Sequence, residues 1–223
     1  MLRPHSVPIW LFVFALILGC ASLAHVDAEA AVKEKYPKLF GSTERRFRSM
    51  KPFKKWTGML KRNEKERPID GRPCDPAFHD ECELSQWTDF LDSISDEDAF
   101  EKITAINSYH NQAKYLTDQL NWKQKDYWET VAEFFARNGD CEDFSIAKYM
   151  SLRAVGFKAS EVRLLVVQDL NLKVGHAILV VYLDGKAYIL DNQVNEVMEV
   201  NRIRHYRVQY SINEKYWWRH RYR

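Results

Sequence analysis

Thr130-Val-Ala-Glu-Phe-Phe-Ala-Arg-Asn-Gly-Asp-Cys-Glu-Asp-Phe-Ser-Ile-Ala-Lys-Tyr149 is the stretch on which the reading of this chain turns. Thr130 followed three residues later by Glu133 has the form of a capping box. The helix it opens is short and stops at Asn138-Gly139. Asp140, with Asp143 three residues on, can cap a second helix. Phe144, Ala147, Met150 and Ala154 line one face of that helix, and Gly156 ends it. Cys141 therefore falls in a first turn, where the positive end of the helix dipole favours a thiolate. Asp140, Glu142 and Asp143 crowd the same sulfur and oppose that effect, because negative charge raises a thiol pKa. Capping accounts for Asp140 and Asp143 without a ligand, but leaves Glu142 and the negative field. A bound Ca²⁺ would neutralise all three carboxylates and stiffen the helix start. Zn²⁺ fits less well, since it would take the thiolate itself.

Beyond Gly156 the hydrophobic period changes from helical to alternating. Glu161 to Gln168, His176 to Leu183 and Lys186 to Asp191 read as strands, and Val197 to Val200 and Val208 to Ile212 as shorter ones. Asp184-Gly185 is a two-residue hairpin turn. If Leu183 pairs with Lys186, then Ile178 faces Asp191, and His176 lies on the same face, diagonal to Asp191. Diagonal neighbours sit about 7–8 Å apart, within reach of an imidazole and a carboxylate. A one-residue slip would separate them. Cys141, His176 and Asp191 thus have the makings of a nucleophile, its base and the acid that orients the base. The Cys141 backbone N–H is a natural oxyanion donor, and a second donor stays open.

Upstream, Trp87, Phe90 and Leu91 begin a helical pattern. A further helix is predicted from Ser95-Asp-Glu-Asp98 through Phe100, Ile103, Ile106 and Tyr109 to about Leu120. Residues 31 to 67 are rich in Lys and Arg and read as a surface-hugging segment with a weak helix. The tail from Lys215 to Arg223 reads as a solvated end with some packed rings. Helices first and an antiparallel sheet second is an α+β arrangement, with a helical lobe over about 31–156 and a β lobe over about 157–212.

The chain has 223 residues, 46% hydrophobic and 29% charged, enough for one sizeable core or two small lobes. A net charge of +2 gives no case for nucleic-acid binding. Residues 1–30 carry Arg3, the apolar run from Ile9 to Gly19 and then small residues, the pattern of a secretory signal. Cleavage after Ala28 or Ala30 would remove it; lipidation at Cys20 or a retained anchor are the other outcomes. Membrane association is expected only through this segment. Export makes a local Cys74–Cys82 disulfide the expected pairing and leaves Cys141 as a free thiol.

Tyr127 to Tyr149 with its Asp-Cys-Glu-Asp core, then Gly175-His-Ala177 and Leu190-Asp-Asn192, resembles the bacterial transglutaminase-like cysteine proteinases over about Trp87 to Tyr210. The resemblance implies a papain/transglutaminase-like fold and a Cys141, His176, Asp191 triad. It implies calcium dependence, with Asp140, Glu142 and Asp143 as ligands or ligand supports. It implies a periplasmic endopeptidase that cuts a very large surface adhesin near its N-terminus, at paired alanines, and so controls biofilm release. An inner-membrane cyclic di-GMP receptor would sequester it. Trp122 would face receptor or substrate, unless it is a core aromatic. Two alternatives stand beside this reading. One is a transglutaminase or amidase using the same triad. The other is an exported interaction module with a structural calcium and an inert Cys141.

Overall fold

The computed structural model describes residues 36–66 and 79–222. The N-terminal segment 1–30 and Cys74, and with it the expected Cys74–Cys82 pairing, lie outside them. Seven strands form one antiparallel sheet: β1 (Thr43–Phe47), β2 (Val162–Asp169), β3 (Gly175–Leu183), β4 (Lys186–Asp191), β5 (Val194–Glu199), β6 (Tyr206–Ile212) and β7 (Trp217–Arg221). Their order is β1-β7-β6-β2-β3-β4-β5. Six helices precede β2 in the chain: α1 (Lys54–Asn63), α2 (His79–Ser93), α3 (Ala99–His110), α4 (Asp118–Asn121), α5 (Val131–Arg137) and α6 (Cys141–Ala154). Among the described residues no helix is long and apolar enough to cross a membrane.

The predicted punctuation of the central stretch is what forms. Thr130 Oγ1 accepts the Glu133 N–H at 3.2 Å, and Glu133 returns a bond to the Thr130 N–H at 2.8 Å. Helix α5 stops at Asn138, whose φ of 61° and ψ of −179° leave the helical region and whose side chain accepts the Lys114 N–H at 2.8 Å. Asp184 and Gly185 both have positive φ, as a tight hairpin turn requires, and Leu183 pairs with Lys186.

Both faces of the central strands are covered. On one face Val162, Leu164, Leu179, Val181 and Leu190 meet α6 through Ile146, Tyr149 and Leu152, with Ile103, Ile106, Trp56 and Met59 packed behind. On the other, Leu165, Val167, Ile178, Val180 and Val208 form a second cluster, with Leu39 from the N-terminal segment.

Three sequence expectations change. The helix from Asp98 ends at His110 rather than near Leu120. The chain beyond it is drawn across to the turn before Cys141, where Tyr115 bridges Gly139 and the Leu116 N–H bonds the Gly139 carbonyl at 2.9 Å. The basic segment 31–67 does not merely hug the surface: Trp56 and Met59 of α1 are fully buried, and the Trp56 indole N–H bonds the Asn213 carbonyl at 3.1 Å. The tail is not a solvated end. It is strand β7, paired with β1 from Thr43↔Arg221 to Phe47↔Trp217. The sheet therefore reaches beyond 157–212 at both ends of the chain. Charge had masked these two strands, whose rings stack instead (Phe47 on Trp217, centroids 4.4 Å apart) while guanidinium groups lie over rings, as Arg163 does over Trp218 at 3.6 Å.

Candidate active site

Helix α6 presents Cys141 from its first residue and packs against β3. His176 is the second residue of β3, and Asp191 the last of β4. The ladder between these strands runs from Leu183↔Lys186 to Leu179↔Leu190, the register expected from the turn. It puts His176 and Asp191 on one face. His176 Nε2 lies 2.9 Å from Asp191 Oδ1, with both side chains buried. Asp191 also accepts from the Tyr206 hydroxyl (2.6 Å) and the Gln193 N–H (3.0 Å). Burial alone would raise this carboxyl; the His176 pair and the Tyr206 and Gln193 bonds hold it below its ordinary value. It stays a carboxylate throughout the neutral range.

The sulfur of Cys141 has two contrary neighbours. The Ala177 backbone N–H, next to His176, bonds it and favours the thiolate. On the other side the thiol donates to Glu142 Oε2 at 2.9 Å. Burial first, then Glu142 and Asp140, push the thiol far above its ordinary value. The conflict read from the sequence is thus physically present. The carboxylates suppress the thiolate, while the helix start and the strand beside it favour one.

The acidic cluster is larger than the sequence suggested. Asp118, from α4, joins Asp140 and Asp143, each offering an oxygen within 4.8 Å of the others. Asp140, Cys141 and Glu142 form a second such group. The expected set of Asp140, Glu142 and Asp143 is therefore divided: Asp140 belongs to both groups, Asp143 faces Asp118, and Glu142 faces the thiol. Asp143 is fully buried, accepting from the Glu129 N–H (2.9 Å) and the Asp140 N–H (3.0 Å). The reciprocal capping box of Asp140 and Asp143 forms, yet Asp140 Oδ1, Asp118 Oδ1 and Glu129 Oε2 are buried with no hydrogen-bond partner. Burial raises all four carboxyls, Asp140 and Glu129 to about 8. Buried acceptors without donors, in an all-oxygen set, fit a hard divalent cation such as Ca²⁺.

Trp122 buttresses this cluster. Its indole N–H donates to Glu129 Oε1, and its half-buried ring lies between Tyr127 (4.5 Å) and the Arg137 guanidinium (4.4 Å). Asp118, Glu129 and Tyr206 went unread in the sequence. Asp118 sits in an ordinary polar stretch, and the strand carrying Tyr206 begins two residues before its predicted start.

Comparison with known proteins bears on the chain as a whole. The family model of the bacterial transglutaminase-like cysteine proteinases matches residues 73–221. Solved structures of LapG from Legionella pneumophila are similar at 25% identity. The calcium-bound form aligns at TM-score 0.56, covering 71% of this chain and 83% of that one. The EGTA-treated form aligns at 0.59, covering 74% and 86%. No curated protein matches the chain.

Proposed function

Because this chain belongs to the bacterial transglutaminase-like cysteine proteinases, we propose that it is a calcium-dependent endopeptidase of the periplasm, with Cys141 as nucleophile, His176 as base and Asp191 as orienting acid. Its substrate is the N-terminal region of a large cell-surface adhesin, and the cut releases that adhesin and loosens a biofilm. A membrane receptor for cyclic di-GMP is its sequestering partner. The observation that carries the chemistry is the buried His176–Asp191 pair at 2.9 Å, placed on the strand whose Ala177 N–H touches the Cys141 sulfur.

The chemistry follows from the residues. Asp191 engages His176 Nε2, so Nδ1 is the nitrogen that accepts the Cys141 proton. The sulfur attacks the scissile carbonyl carbon, and negative charge moves to its oxygen. The Cys141 N–H, in a first turn without an intrahelical acceptor, stabilises that oxyanion. The C–N bond breaks as His176 returns the proton to the leaving amine, and a thioester remains. Water, deprotonated by His176, attacks the thioester and releases the new carboxylate and the thiol. Asp118, Asp140 and Asp143 would hold the calcium, with Glu142 at its margin. When bound, the ion supplies positive charge that offsets the carboxylates around the sulfur.

The test is cleavage of an adhesin N-terminal fragment by the purified soluble protein. Wild type and Cys141→Ala are each assayed with calcium and with a chelator. Cleavage by wild type in calcium alone is the expected result. Intact fragment, with incorporation of an amine probe instead, would replace hydrolysis with acyl transfer.

A further inference from the structure

Lys148 stands two turns beyond Cys141 on α6, with its side chain wholly inside the protein. No step of peptide cleavage calls for it. Its ammonium donates to Asn107 Oδ1 at 2.8 Å and to Asn111 Oδ1 at 2.6 Å. The other halves of these amides point onward to the turn after β4. Asn111 Nδ2 donates to the carbonyl of Asp191 (2.9 Å), the carbonyl of Val194 (3.2 Å) and Asn195 Oδ1 (3.0 Å). Asn107 Nδ2 donates to the carbonyls of Val194 (3.0 Å) and Asn195 (2.9 Å).

The direction of these bonds is dictated by the turn. Its backbone carbonyls can only accept, so each asparagine must turn its NH₂ to them and its oxygen to Lys148, whose N–H groups donate. With no donor at position 148, either amide could flip and set its oxygen against a backbone carbonyl. Burial draws Lys148 down to about 7, and the Asp191 carboxylate counters that pull, so the lysine also feels the triad acid directly.

We propose that Lys148 is a positioning residue for Asp191. Acting through Asn111, it ties the turn that carries the triad acid to the helix that carries the nucleophile. Cys141 and Asp191 then share one rigid frame, and His176 is held between them. This inference rests on the triad assigned above.

The measurement is the rate of Cys141 alkylation by iodoacetamide in the calcium-loaded protein across pH 6 to 9, which needs no peptide substrate. Wild type, Lys148→Met, Asp191→Asn and the double variant are compared. Ser151→Ala is the control, a buried polar residue of the same helix bonded toward His110 and Trp87 rather than Asp191. Lys148→Met is expected to slow alkylation near neutral pH by about tenfold or more, the scale of a misplaced catalytic group. Ser151→Ala is expected to leave the rate and its pH profile unchanged. In the Asp191→Asn background the Lys148→Met loss is expected to disappear, because a residue acting through another is not additive with it. Asn111→Ala keeps the lysine, lies at the half-buried C-cap of α3, and is expected to give the same slowing if Lys148→Met fails to fold. Wild-type rates in Asn111→Ala, or a Lys148→Met loss that adds in full to Asp191→Asn, would overturn the inference. An Asp191→Asn rate equal to wild type would instead remove the triad, and this positioning role with it.

Discussion

Glu142 governs the state of the nucleophile more directly than any other side chain. It takes the thiol proton's hydrogen bond and sets a negative charge beside the sulfur. Replacing it by Gln removes the charge while keeping the shape. In the presence of a chelator, Glu142→Gln is expected to alkylate at Cys141 about tenfold faster than wild type, one unit of thiol pKa being a factor of ten in thiolate. Calcium is expected to accelerate wild type and to do little for the variant. Equal rates for the two proteins in chelator would show that the carboxylate does not restrain the thiol. At this scale the His176–Asp191 pairing was legible, because a two-residue turn fixes register and register fixes which side chains share a face. The partners of the triad were not legible. Tyr206 and Asn111 reach Asp191 from β6 and α3, elements whose contact with β4 no local pattern announces.

The start of helix α6 depends on Gly139 for space rather than for an unusual backbone angle. A Cβ there would lie 2.5 Å from the Asp143 carboxylate. Gly139→Ala must push Asp143 away from the Asp140 and Glu129 N–H groups it caps. A loss of about 1–3 kcal/mol is expected, together with the thermal shift on calcium addition, read by calorimetry. The acidic cluster also gives that shift a pH dependence. Asp140 and Glu129 titrate at about 8 when folded and near 4 when unfolded. Between those values the folded, calcium-free protein holds more protons, so its stability falls as pH rises. Calcium removes this penalty, so the gain in melting temperature on adding calcium is expected to grow from pH 5 to pH 8. A gain that stays flat or shrinks would place the ion elsewhere. Capping boxes, the hairpin and the nucleophile helix were readable because each is set by neighbours in sequence. The convergence of α4 on α6 was not, since Asp118 meets Asp140 and Asp143 only through tertiary packing.

For the molecule as a whole, the residues matched by the family model, 73–221, are fewer than the fold requires. Trp56 and Met59 fill the core from α1, and β1 covers the edge of β7. A fragment starting at residue 73 is expected not to give a cooperative thermal transition, and Trp56→Ala in the full chain to cost about 3–5 kcal/mol in urea unfolding. Full-length stability in either would make the N-terminal segment an accessory. With calcium bound and the carboxylate contribution removed, acid is expected to weaken the protein through buried histidines. His220, between Ser42 and Ser211, is lowered to about 4 by burial and the Arg163 charge, and His110 is lowered well below its ordinary value. From about pH 6.5 down to 4 the unfolded chain binds protons that these folded histidines refuse, so unfolding midpoints of calcium-saturated His220→Gln are expected to change less across that window than those of calcium-saturated wild type. The basic composition of the two chain ends hid their strands, because their charge reads as solvation while their alternate residues stack.

The pairing of Thr43 with Arg221 spans 178 positions of the chain. Closing so long a loop is slow and entropically costly, and it must wait for β7 to exist. A chain still emerging from the ribosome can form the β2–β3–β4 meander once those strands are made, but it has no way to complete its outer edge. Maturation of this enzyme therefore has a natural last step, in which β1 and β7 find each other. A β1 segment held back, or the loss of β7, would arrest it there.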